Sequence, residues 1–98
     1  MLIQLGLAEK SRGRLEEASE WFHRALELDS QSSVVHFYIG ETCYNRGLSK
    51  EALEALTRAT ELEPDNKTVR DLLTRATGQA KRQASYDKAM TQGKSALE

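Results

Sequence analysis

His23, His36 and Cys43 are the residues whose types admit nucleophilic or metal chemistry. An imidazole that activates a thiol, or an imidazole–thiolate ligand set, needs these groups converged and an acid placed to orient the imidazole. The spacing argues against that. His36 and Cys43 fall at packing positions of one helical segment, His23 lies on another, and no Asp or Glu is placed by a motif beside them. The glycines Gly6, Gly13, Gly40 and Gly47 are turn and packing glycines, and they form no phosphate-cradling loop. We therefore expect no catalytic residue, no metal and no cofactor. One cysteine allows no internal disulfide, so stability must come from packing.

The elements that would hold these residues follow from composition and period. The chain has 98 residues, enough for one small domain. Apolar residues are 39% and charged residues 30%, with a single proline, a balance that favours a folded helical protein over a disordered tail or an all-β domain. The longest nearly apolar runs, Met1 to Ile3 and Val34 to Ile39, are far short of the roughly 20 residues that span a bilayer. Gln4, Glu9 and Lys10 interrupt any apolar leader, so no secretory signal is expected and a cytoplasmic location is the expectation. Residues 1–64 carry 7 basic and 11 acidic side chains and residues 65–98 carry 7 and 4, a shift from −4 to +3. The basic residues of that second segment are dispersed, and Tyr86 is the lone aromatic among them, so a solvated helix face is read there and no nucleic-acid partner is expected.

A step of 34 residues superimposes Gly6 on Gly40, Gly13 on Gly47, Ala18 on Ala52, Arg24 on Arg58, Ala25 on Ala59 and Leu28 on Leu62. Leu5 meets Ile39 and Phe22 meets Leu56 in the same register. Each unit reads as two antiparallel helices, the first closed by a glycine that takes the left-handed conformation. The second carries an apolar stripe, Leu15, Ala18, Phe22, Ala25 and Leu28 in unit one, with Glu16 and Glu17 in its first turn. Ser49 is the expected N-cap of the fourth helix, and Pro64 stops it. Ala18 and Ala52 mark where the paired helices approach most closely.

These residues resemble the tetratricopeptide repeat family, whose 34-residue unit carries a Trp, Leu-Gly, Tyr, Ala, Phe, Ala, Pro pattern. In the second unit His36 stands at the Trp position, Ile39-Gly40 at Leu-Gly, Cys43 at Tyr, Ala52 and Ala59 at the alanines, Leu56 at Phe and Pro64 at Pro. The first unit gives Leu5-Gly6, Ala18, Phe22 and Ala25, with Ser30 in place of the proline. Met1 falls at about the third position of its unit, as in an excised piece of a longer array or a blunt natural start. The expected fold is an all-α, right-handed α-solenoid of antiparallel helix pairs, with about two to two and a half repeats plus a C-terminal capping helix. The units are 1–32 and 33–66, with a divergent third unit or cap at 67–92. After Pro64 a third first-type helix is expected from Thr68 to Ala76, then a register slip and a cap that begins near Tyr86. Residues 93–98 are read as a flexible tail, with Leu97-Glu98 either native or a cloning remnant.

The resemblance implies a non-enzymatic protein-interaction module with a concave groove lined by the first helix of each pair. It places Ile3 and Leu7 in that groove from unit one, then Val34, Phe37, Glu41, Tyr44 and Asn45 from unit two. Thr68, Asp71, Arg75 and Gln79 follow from unit three. Such a surface suits a peptide or helical segment anchored by apolar side chains, with Glu41 and Arg75 setting polarity. Ile3, Leu7, Tyr38 and Leu72 occupy the positions where related proteins clamp chaperone C-terminal tails, leaving Arg75 as the nearby groove cation, so such tails are not the expected ligand. The alternative is a structural segment of a larger repeat scaffold, or a homo-oligomer assembled by stacking of an end face on Leu2, Leu5 and Phe22; the expected state of the chain is a monomer or weak homo-oligomer.

Overall fold

The structure, a computed structural model, describes the backbone from Leu2 to Leu97 and side chains from Leu2 to Ala84. Five helices follow one another: α1 (Leu2–Ser11), α2 (Leu15–Leu28), α3 (Ser33–Asn45), α4 (Ser49–Leu62) and α5 (Lys67–Leu97). The Cα radius of gyration is 15.6 Å, above the roughly 13 Å of a compact chain of this length, as an open array requires.

The turns show why the helices stop where they do. Gly13 and Gly47 have φ of 81° and 80°, the region where a side chain is strained. After α1, the Gly13 amide donates to the Lys10 carbonyl and the Arg14 amide to the Glu9 carbonyl, at 3.0 and 2.9 Å. After α3, Gly47 donates to Tyr44 and Leu48 to Cys43, at 3.1 and 2.9 Å. Both turns are Schellman motifs, satisfying carbonyls that the helix end would leave open. The helix starts repeat as well. The Val35 amide donates to Ser32 Oγ at 3.3 Å and the Val69 amide to Asn66 Oδ1 at 3.2 Å, each side chain capping its helix. Ser49 is not a cap: Leu48 holds the N-cap position of α4 with no side-chain bond, and Ser49 is the first helical residue.

Packing runs along the chain, α1 on α2, α2 on α3, α3 on α4 and α4 on α5, with α5 also reaching α3. The core is a single cluster around Phe22, Val35, Ile39, Leu56 and Ala76, with Ala18 and Ala52 fully buried between the paired helices. Gly6 lies against the Phe22 ring and Gly40 against Leu56, so the absent side chains are what let the helices close.

The third unit departs from the expected break. A first-type helix followed by a separate cap is replaced by one helix, α5, which also takes in residues 93–97 of the expected tail; Glu98 lies outside the described residues. The 34-residue step puts Lys81 where Gly13 and Gly47 end their helices, and a lysine enters the left-handed region only at a cost of about 1–2 kcal/mol. The same step puts Thr74 where Gly6 and Gly40 sit, and Thr74 is exposed, with no second helix pressed on it.

Candidate functional site

The repeat register assigns side chains of α1, α3 and α5 to a groove. Ile3 and Leu7 of α1 are half-buried and pack on the core. On α3, Val34 is 48% exposed, and Phe37 and Tyr44 are half-buried. The Phe37 ring meets Tyr38 edge-on at 5.6 Å, and Tyr38 stacks on Phe22 at 5.4 Å and 18°. Tyr38 therefore fixes the angle of Phe37 from below. A shallow cavity of about 120 Å³ opens beside Phe37, bounded by Val34, Tyr38, Thr68 and Val69.

The charges among these residues are arranged differently from the expectation. Glu41 is paired with Lys10 of α1. Lys10, absent from the sequence-derived set, thus stands beside the expected groove residue Glu41. It was legible in principle, since the step of 34 residues carries Tyr44 onto Lys10. Asp71, Arg75, Asn45 and Thr68 are exposed, and Asp71 and Arg75 enter no ion pair among the described residues. Gln79 turns away to the neighbouring turn. Its Nε2 donates to the Tyr44 carbonyl at 3.2 Å, and Gln83 Nε2 donates to the Gly47 carbonyl at 3.0 Å. The buried Ser49 hydroxyl lies within bonding distance of both glutamine carbonyls, at 2.9 Å from Gln79 and 2.6 Å from Gln83.

A cavity of about 330 Å³ opens on the other side, between α2 and α4 over α3. None of the expected groove residues lines it. His23, His36 and Cys43 all border it, yet they do not form a reactive group. His23 Nδ1 donates to the Ser19 carbonyl at 2.8 Å and His36 Nε2 to the Ser30 carbonyl at 3.0 Å, which uses each of these nitrogens to hold a local turn. Burial pushes the Cys43 thiol above its ordinary value, Glu51 adds to that, and Arg46 opposes it. A protonated thiol in such a site is a poor nucleophile. The end face expected on Leu2, Leu5 and Phe22 is also revised: Phe22 is fully buried under Gly6 and Tyr38, whereas Leu5 is 42% exposed. No helix among the described residues is long and apolar enough to cross a membrane.

Known proteins share this architecture. Residues 10–76 match the family model described as Tetratricopeptide repeat. The BBSome complex member bbs-4 of Caenorhabditis elegans is 38% identical over 71 residues, 72% of this chain and 15% of that protein. The human protein O-mannosyl-transferase TMTC1 is 30% identical over 69 residues, 70% of this chain and 8% of that protein. The chain thus spans less than a sixth of the length of either relative. The doubled Schellman turns, the two glycines beneath Phe22 and Leu56, and the family match all describe one helical unit used twice, and the chain belongs to the tetratricopeptide repeat family.

Proposed function

We propose that the chain is a protein-interaction adaptor that holds a peptide or helical segment along the α1, α3 and α5 face. The observation that carries this reading is the half-exposed Phe37, set on Tyr38 beside a cavity with room for one small apolar side chain. Tyr44 and Val34 extend the apolar strip along α3. Glu41 and Lys10 neutralise one another, which leaves Asp71 and Arg75 to orient the ligand's polar groups. Tetratricopeptide repeats are non-catalytic modules that bind proteins, and one relative is by its name a member of a complex, so an assembly role fits and an enzymatic one is not proposed. A cytoplasmic adaptor without a preference for chaperone tails is the reading that these residues support.

Site-specific photocrosslinking tests it. A crosslinking residue at Val34 should capture a partner that the same residue at the exposed Thr57 of α4 does not. The captured segment, made as a peptide, should bind the parent at least about tenfold more tightly than a Phe37→Ala, Tyr44→Ala variant of equal helicity. Equal capture at both positions, or equal affinity for both chains, would discard the groove.

A further inference from the structure

The cavity of about 330 Å³ between α2 and α4 lies inside the array, with α1 packed on α2 and α5 packed on α4. Small side chains hold it open. The 34-residue step pairs Ser19 with Leu53 and Ala55 with Trp21, and each wall carries the smaller member of its pair at the gap. The floor is apolar, formed by Ile39 and Cys43 of α3, with Leu26 and the 36% exposed Leu48 on its flanks. The volume lies at the lower limit of the roughly 300–1,000 Å³ of small-molecule sites, so it suits one or two side chains of a partner better than a cofactor.

The charges around this cavity are unequally engaged. Arg46 is paired with Glu16 at 3.5 Å. Arg58 is paired with Glu61 at 3.4 Å and donates from its other terminal nitrogen to Gln31 Oε1 at 3.2 Å. Glu51 and Glu54 also line the cavity, and they are exposed and enter no ion pair among the described residues. They stand three residues apart, on one side of α4. Glu51 acts on the Cys43 thiol, which sets its carboxylate near the floor.

We propose that this cavity docks a segment of another protein that lays an aliphatic side chain on Ile39 and Cys43 and sets a lysine or arginine beside it, between Glu51 and Glu54. The charges choose the occupant. A cation there meets two carboxylates that no ion pair neutralises, whereas an acidic segment, a nucleic-acid backbone or an anionic lipid surface would be repelled by them. The stem of a lysine or arginine can lie along Leu48 while its charged end reaches the rim. None of the residues assigned to the α1, α3 and α5 groove lines this cavity, so each reading stands or falls alone.

The probe is a displayed library of random twelve-residue peptides, selected on a Phe37→Ala, Tyr44→Ala chain of helicity equal to the parent, which silences the groove. Enriched peptides, remade in solution, should carry a lysine or arginine within one helical turn of an aliphatic residue. They should shift the methyl resonances of Leu26 and Ile39 in the parent and slow labelling of its Cys43. They should bind a Glu51→Gln, Glu54→Gln chain at least about tenfold more weakly; both positions are exposed, so the fold should survive the exchange. No enrichment, enriched peptides without a cation, equal affinity for both chains, or shifts confined to Val34 and Val69 would each overturn the proposal. A mass that rises with concentration for the parent and not for the Glu51→Gln, Glu54→Gln chain would assign the cavity to a second copy, and would overturn it as well.

Discussion

Gly40 stands so close to Leu56 that a Cβ built on it would lie 2.5 Å from Leu56 Cγ and 3.4 Å from the Ala52 carbonyl oxygen. The Ala52 oxygen stands at ordinary contact distance, and the clash is with Leu56 at its branch point, so the buried Leu56 side chain must shift to admit a methyl group. Gly40→Ala is expected to cost about 1–3 kcal/mol by overpacking. Gly47→Ala has open space around it and a φ of 80°, so its cost of about 1–2 kcal/mol comes from backbone strain alone. Chemical denaturation of both variants checks the pair. Repacking by Leu56→Ala in the Gly40→Ala background should recover part of the loss in the first case and have no counterpart in the second.

Those glycines also mark what the sequence made legible. The 34-residue step, the two glycine turns and the buried alanines were all visible, because backbone conformation and close approach restrict residue type severely. The continuous α5 was less so: Lys81 and Thr74 signal the missing turn and the missing partner helix only once the helix is seen to run through them. Of the residues assigned to the proposed groove, Val34 and Phe37 meet at one cavity. The partner of Glu41 was not legible, since the Lys10–Glu41 pair depends on how α1 and α3 are set side by side. Ser49 was misread as a cap because its hydroxyl serves α5, thirty and thirty-four residues away.

Thr42 is fully buried and its hydroxyl has no hydrogen-bond partner among the described residues. Removing an unsatisfied buried hydroxyl while keeping the shape should stabilise the fold. Thr42→Val is expected to add about 1 kcal/mol, which for a domain of this size raises Tm by roughly 4–8 °C. Thermal unfolding followed by circular dichroism measures it, and an unchanged or lower Tm would mean that the hydroxyl is satisfied.

Cys43 gives the fold a pH dependence of known sign. Its thiol is held above the ordinary value of 9.0, first by burial and then by Glu51, against the opposing Arg46. The unfolded chain therefore releases this proton at lower pH than the folded one. The contribution to stability is complete below the unfolded value and is lost as pH rises through the folded value. Between about pH 8 and 10 the parent should lose stability more steeply than Cys43→Ala. Denaturant midpoints across that range, compared as slopes, decide it; identical slopes would refute the assignment. The same burial predicts slow labelling of the native thiol by a disulfide reagent and fast labelling once the chain unfolds.

Ser49 has one hydroxyl proton and two acceptors within reach, Gln79 Oε1 and Gln83 Oε1. Either glutamine can take it when the other is removed. Gln79→Ala and Gln83→Ala should therefore each cost about 1 kcal/mol or less, and the double variant should cost more than their sum. A double-mutant cycle by urea denaturation measures the excess, and simple additivity would show that Ser49 bonds only one of them.

The Gln79 bond to the Tyr44 carbonyl joins α5 to the end of α3, passing over the helix that lies between them in sequence. In a linear array each unit answers to its immediate neighbours, and melting proceeds inward from whichever end is least well covered. Here α5 is fastened to α3 and its following turn by hydrogen bonds beside the buried Ser49 hydroxyl, whereas α1 reaches α3 through the partly exposed Lys10–Glu41 pair, which contributes less. Among α1 to α4, amide exchange should thus be fastest in α1, slower in α2, and slowest across the α3–α4 turn that the two glutamines hold. From α1 to α4, protection would therefore be lost in a fixed direction, from the ion-paired helix toward the hydrogen-bonded turn.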